Sequence, residues 1–286
     1  MEIMRTIFLL IFCFIFLYAC SNEKSAFSYK DTYDESNVIT MREFTTDDKQ
    51  THFTIYNESE LNDERIEAIT DEINTSYEAI LEYNNGYEWS EKISIHLRKS
   101  SNTPYALKDE IVIYDTWGED YQLTHELAHV LLGVGNMRYG EFDNENGLLT
   151  QEGFPVYLSE RVYPEKDIHS HSSLSIHKTM KHIIDQNETI PLETLAHNVK
   201  GLLYLRSNDD KTQWKSYIQA GSFIKYLFEN YPKDSIVNLY NSPSLISDLK
   251  EVTGKDIDKL ESEWLKYIDK EFDSLTEEEK LEILYP

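Results

Sequence analysis

The sequence predicts an α+β protein, with a small N-terminal β-sheet packed on one long helix and a mainly helical C-terminal part. Three observations predict it. Short alternating or β-branched runs are confined to the first 114 residues. One long helical periodicity lies among them, over Glu60–Tyr83. After that region, apolar residues recur almost everywhere at three- and four-residue steps.

The elements follow in chain order. Val38–Phe44 and His52–Tyr56 flank a polar Thr-Thr-Asp-Asp-Lys-Gln connection and read as a hairpin. In the long helix Leu61, Ile66, Ile69, Ile73, Tyr77, Ile80 and Leu81 mark the buried face, and Gly86 closes it. Ile93–Leu97 alternates as a half-buried strand, and Glu110–Tyr114 is a more buried one. A helix is expected from near Glu119 to Gly133, with Leu123, Leu127, Val130 and Leu131 as its apolar stripe. Further helices are expected near Glu152–Arg161, His177–Gln186, Lys215–Asn230, Ser244–Thr253 and Asp256–Phe272.

The N-terminus reads as a targeting segment. Arg5 precedes the apolar run Ile7–Tyr18, which is too short to span a bilayer and suits the core of a secretory signal. Leu17-Tyr18-Ala19-Cys20-Ser21 resembles the lipobox of bacterial lipoproteins. That resemblance implies cleavage before Cys20, lipidation of Cys20 and an extracytoplasmic protein anchored to the bacterial cell membrane. Cys13 falls inside the signal, so the mature chain keeps only Cys20 and no internal disulfide. The expected organisation is a signal peptide over 1–19, a polar tether over 20–37 and a sheet-and-helix subdomain over 38–118. A helical catalytic subdomain over 119–275 and an acidic tail over 276–286 complete it. With 52 acidic and 27 basic residues the formal charge is −25, which argues against nucleic acid as a partner.

The most informative stretch is His125-Glu126-Leu127-Ala128-His129. Positions four apart on a helix lie about 40° from each other, so both imidazoles can reach one metal ion. Glu126 sits beside the first, where a carboxylate can act as a base toward an activated water. A catalytic zinc usually takes three protein ligands and leaves one position open. A glycine and a histidine at three and six residues past His129 would complete one known pattern, but Leu132 and Gly135 stand there. The other common third ligand is a Glu on a following helix. Glu152 is the best candidate: Gly153 beside it permits close helix packing, and Pro155 should confine it to the first turn. Glu141 and Glu145 are nearer in sequence but lie in a Gly/Asn-rich stretch.

His-Glu-Leu-Ala-His followed by Glu-Gly-Phe-x-Val-Tyr-Leu resembles the gluzincin metallopeptidases, and among them the peptidase MA-like group. Tyr217-Ile-Gln-Ala-Gly-Ser-Phe-Ile-Lys-Tyr-Leu resembles a later helix of that group. The resemblance implies a zincin-like fold and one Zn²⁺ per chain held by His125, His129 and Glu152. It implies Glu126 as general base toward a peptide or protein substrate, and Tyr217 as hydrogen-bond donor to the oxyanion. Pro155 departs from the small residue usual in the group. The Gly-x-Met-Glu-Asn element that grips a free N-terminus is absent, so aminopeptidase action is not implied. A rival reading is a surface lipoprotein that keeps the fold for binding alone; an intact Glu126 weighs against it.

Other constellations carry less. Glu119, Asp120 and Glu160 are the acidic residues that could orient the two imidazoles. His169, His171, His177 and His182 form a local cluster that could take a second metal, though spaced His in a polar segment are usually solvated. Phe223, Tyr226, Leu227 and Tyr231 make an aromatic stripe that reads as core.

Overall fold

The computed structural model describes residues 37–100, 102–114, 122–133, 148–164 and 174–283. The hairpin forms as β1 (Thr40–Thr45) and β2 (His52–Asn57), antiparallel, with Phe44 opposite Phe53. The long helix α1 (Asp63–Leu81) then crosses to β3 (Lys92–Arg98), which runs parallel to β2. Parallel neighbours need such a crossover. Asn62 starts α1 by accepting from the Arg65 amide. β4 (Tyr105–Ala106) and β5 (Glu110–Tyr114) complete a five-stranded sheet of order β1-β2-β3-β5-β4.

Register places the apolar side chains on one face. Phe53 pairs with Ile93, Ile55 with Ile95, Ile95 with Ile111 and Leu97 with Ile113. All are buried, as are Ile69, Ile73 and Ile80 on α1. Tyr77 of α1 meets Phe53 edge-on at 6.0 Å between ring centroids. The two-residue β4 was not expected; a strand that short has too few residues to show alternation.

The helical part is α2 (Leu123–Leu131), α3 (Leu149–Val162), α4 (Ile176–Asp185), α5 (Leu192–Ala196), α6 (Asn198–Leu205), α7 (Asp210–Asn230), α8 (Lys233–Val237), α9 (Leu245–Thr253), α10 (Ile257–Glu271) and α11 (Glu277–Glu282). Sheet and helices share one apolar core, and the described residues from Ile39 onward belong to one compact unit. Among the described residues no helix is long and apolar enough to cross a membrane.

Two helix expectations need correction. α2 begins at Leu123 rather than near Glu119, because Gln122 already has non-helical backbone angles. α3 begins at Leu149, so Glu152 does lie in its first turn but Pro155 sits inside the helix. Proline there removes the amide that would bond the Gln151 carbonyl, at a cost of about 3 kcal/mol. Burial along α3 from Leu149 to Glu160 offsets that cost. α3 packs most extensively on α7, and glycines let the two backbones approach. A Cβ on Gly153 would lie 2.7 Å from the Ala220 carbonyl oxygen and 2.7 Å from Ile224 Cγ1. A Cβ on Gly221 would lie 2.2 Å from Val156 Cγ1.

The aromatic stripe on α7 belongs to the core, with Phe223, Tyr226 and Leu227 buried. His177 and His182 serve separate surroundings. The His177 ring is fully buried, with Nδ1 2.9 Å from Ser222 Oγ and Nε2 3.0 Å from Glu229 Oε2. Trp264 Nε1–H donates to Ser222 Oγ at 3.2 Å, and Tyr267 OH donates to Glu229 Oε2 at 2.9 Å. Burial pushes the His177 pKa down, so the neutral ring fits this closed set of bonds. His169 and His171 lie outside the described residues.

Gly153→Ala is expected to cost about 1–3 kcal/mol, because the new methyl meets a backbone carbonyl that cannot turn aside. Denaturant unfolding should show a lower midpoint with an unchanged slope.

Candidate metal centre

His125 and His129 project from the same side of α2, and all nine residues of that helix are buried. Their Nε2 atoms lie 3.1 Å apart. Glu152, from the first turn of α3, brings Oε2 to 3.2 Å from His125 Nε2 and 3.6 Å from His129 Nε2. Atoms placed ~2.0–2.1 Å from one metal at tetrahedral angles lie ~3.3 Å from one another. The three observed separations scatter about that value. Among the described residues this is the one group of three or more His, Cys, Asp or Glu whose ligand atoms converge closely enough to hold a metal ion. Glu152, the third ligand anticipated from sequence, therefore stands with the two histidines. Glu141 and Glu145 lie outside the described residues.

The centre is buried, with His125, His129 and Glu152 each less than 10 % exposed. Burial alone would raise the Glu152 carboxyl. The Arg206 guanidinium and hydrogen bonds from His125 and His129 instead hold it well below the usual carboxylate range. Arg206 Nη2 donates to Glu152 Oε1 at 2.6 Å. Glu126 is also buried, and burial pushes its pKa up against the opposing pull of His125 and His129.

His129 is oriented from behind. Its Nδ1 lies 3.1 Å from the Tyr240 hydroxyl oxygen. The tautomer that presents a lone pair at Nε2 carries its proton on Nδ1, where it donates to that oxygen. Tyr240 is fully buried against Phe154 and Tyr87, and burial holds its hydroxyl well above the usual tyrosine pKa. Of the acidic residues considered for this role, Glu160 is engaged elsewhere. Glu160 accepts from the Ile176 amide at 2.7 Å and from Lys225 Nζ at 2.7 Å. Glu119 and Asp120 lie outside the described residues.

Tyr217 also reaches the centre. Its ring stacks on His125 at 5.9 Å between centroids, with 21° between planes. Its hydroxyl oxygen accepts from Arg206 Nη1 at 2.8 Å. Burial first, and then the Glu152 charge, push its pKa well above the ordinary value, so the phenol keeps its proton. Arg206 and Tyr240 were not anticipated from the sequence. No linear motif marks either one: Arg206 follows a short helix and Tyr240 is one of 20 tyrosines. Cys20 lies outside the described residues.

No model of a known protein family matches the chain, and no curated protein matches it. The local chemistry therefore carries the functional argument. Two imidazoles and one carboxylate, converging in a buried interior, are donors that could hold a metal ion.

Tyr240→Phe keeps the packing and removes the partner of His129. It is expected to lower metal affinity by about 10- to 100-fold. Competition against a chromophoric chelator checks this, with the unfolding midpoint as control.

Proposed function

We propose that the protein is an extracytoplasmic zinc-dependent peptidase of gluzincin type, tethered to the bacterial cell membrane through lipidated Cys20. The observation that carries the proposal is the buried His125–His129–Glu152 cluster, with Glu126 next to its first histidine. Two His and one Glu form a ligand set typical of catalytic zinc, which leaves a fourth position open. When bound, zinc supplies Lewis acidity toward a carbonyl and makes a water acidic enough to ionise near neutral pH.

The chain's own residues supply the rest. Glu126 takes a proton from the attacking water as its oxygen bonds to the scissile carbonyl carbon. It then passes that proton to the leaving amine as the C–N bond breaks. Its raised pKa suits a group that must hold and release a proton near neutrality. Tyr217 keeps its O–H and lies against His125, so it can donate to the developing oxyanion. His129, fixed by Tyr240, keeps the ligand geometry unchanged through the cycle. The lipobox resemblance at Leu17–Ser21 supports the anchor and the extracytoplasmic site. A non-catalytic metal staple has no use for the buried carboxyl of Glu126.

Glu126→Gln should retain metal and lose about 10²–10⁴-fold in kcat toward a peptide substrate. Tyr217→Phe should lose about 10²–10³-fold in kcat with KM little changed. Steady-state hydrolysis of a quenched-fluorescence peptide library, with metal content measured on each variant, checks both. Undiminished hydrolysis by Glu126→Gln would contradict the proposal.

A further inference from the structure

The two oxygens of Glu152 face different partners. Oε2 lies 3.2 Å and 3.6 Å from the histidine nitrogens. Oε1 accepts from Arg206 Nη2 at 2.6 Å, at the short end of charge-assisted hydrogen bonds. Glu152 is almost wholly buried, so a charged donor at that distance is a strong hold on Oε1. We propose that Arg206 is a positioning residue that restricts Glu152 to one-oxygen coordination of the metal, and so keeps the fourth position open for water.

The reasoning is geometric. A carboxylate can bind a divalent ion through one oxygen or through both. Two-oxygen binding would turn three protein contacts into four and, with the water, expand the shell to five and crowd the water's place. Arg206 opposes this by holding Oε1 away. Its planar fork does a second thing at the same time. Nη1 donates to the Tyr217 oxygen at 2.8 Å. With that lone pair occupied by an incoming hydrogen bond, the Tyr217 O–H is directed to Glu152, so phenol, guanidinium and carboxylate form one linked group. One guanidinium thereby ties the third ligand to the phenol on α7. Lysine, a point donor, cannot bridge both with the same planar geometry. Arg206 also offsets the charge of the buried Glu152 carboxylate.

This inference rests on the metal-hydrolase reading, and the test separates the two. Metal affinity is a poor readout, because removing the Arg206 charge tightens binding while loosening Glu152 weakens it. Coordination number is the direct one. The full-length protein is loaded with cobalt(II) in place of zinc, and its visible absorption is recorded for wild type, Arg206→Met and Arg206→Lys. Four-coordinate cobalt absorbs several-fold more strongly than five-coordinate cobalt. Strong bands are expected in wild type, and several-fold weaker bands in Arg206→Met, as Oε1 joins the metal. Arg206→Lys restores the strong bands, because one donor to Oε1 is enough, but not full kcat, because the link to Tyr217 is lost. Identical spectra for wild type and Arg206→Met would overturn the inference and leave the hydrolase reading standing. Failure of wild type to bind cobalt at all would overturn both. If Arg206→Met does not fold, X-ray absorption of zinc-loaded wild type decides: a five-contact shell with both Glu152 oxygens overturns the inference, and a four-contact shell supports it.

Discussion

The buried Glu152 carboxylate is the group on which the centre depends. A lone carboxylate in an interior is costly, and it persists only where positive or hydrogen-bonding groups surround it. Here Arg206 meets one oxygen and the two histidines of α2 meet the other. The ion pair with Arg206 keeps the carboxylate ionised in the fold, so the ligand atoms converge before a metal arrives. Preorganisation of that kind spares the cost of assembling charged ligands at the moment of binding.

Position follows from packing. Glu152 is where it is because α3 lies against α7 at backbone distance, through Gly153 beside Ala220 and Gly221 beside Val156. The same α7 delivers Tyr217 to His125 of the cluster and Ser222 to the His177 network. On the other side, Ser76 of α1 bonds Thr124 of α2 at 2.8 Å and anchors the motif helix to the crossover helix of the sheet. The sheet thus sets α1, α1 holds α2, and α7 fixes α3 opposite it. Each ligand is carried by an element locked on its far side, which is what a metal site of fixed geometry requires.

Local signals were readable in the sequence, and tertiary ones were not. The β-type run His52–Tyr56 and the alternation at Ile93–Leu97 marked the sheet, and periodicity marked α1 and the long helices. The spacing of His125 and His129 marked two of the three residues of the cluster. Glu152 could be picked because a glycine beside an acidic residue, ahead of an apolar run, signals a carboxylate on a closely packed helix. Arg206 and Tyr240 carried no such mark, since they join the centre through contacts 54 and 111 residues apart. Pro155 departs from its expected place because packing decides it. Local propensity sets it at a helix start, whereas burial of the whole of α3 overrides the lost hydrogen bond. The short helices α5, α6 and α8 span five to eight residues, too few turns for periodicity to register.

The central claim is that His125, His129 and Glu152, brought together by α2 and α3, bind one catalytic metal. Elemental mass spectrometry of the purified full-length protein, wild type and Glu152→Ala, tests it most directly. The account predicts about one zinc per chain in wild type and its loss in Glu152→Ala with the fold intact. Wild-type protein that remains free of metal after equilibration with zinc, or zinc retained in full by Glu152→Ala, would contradict it.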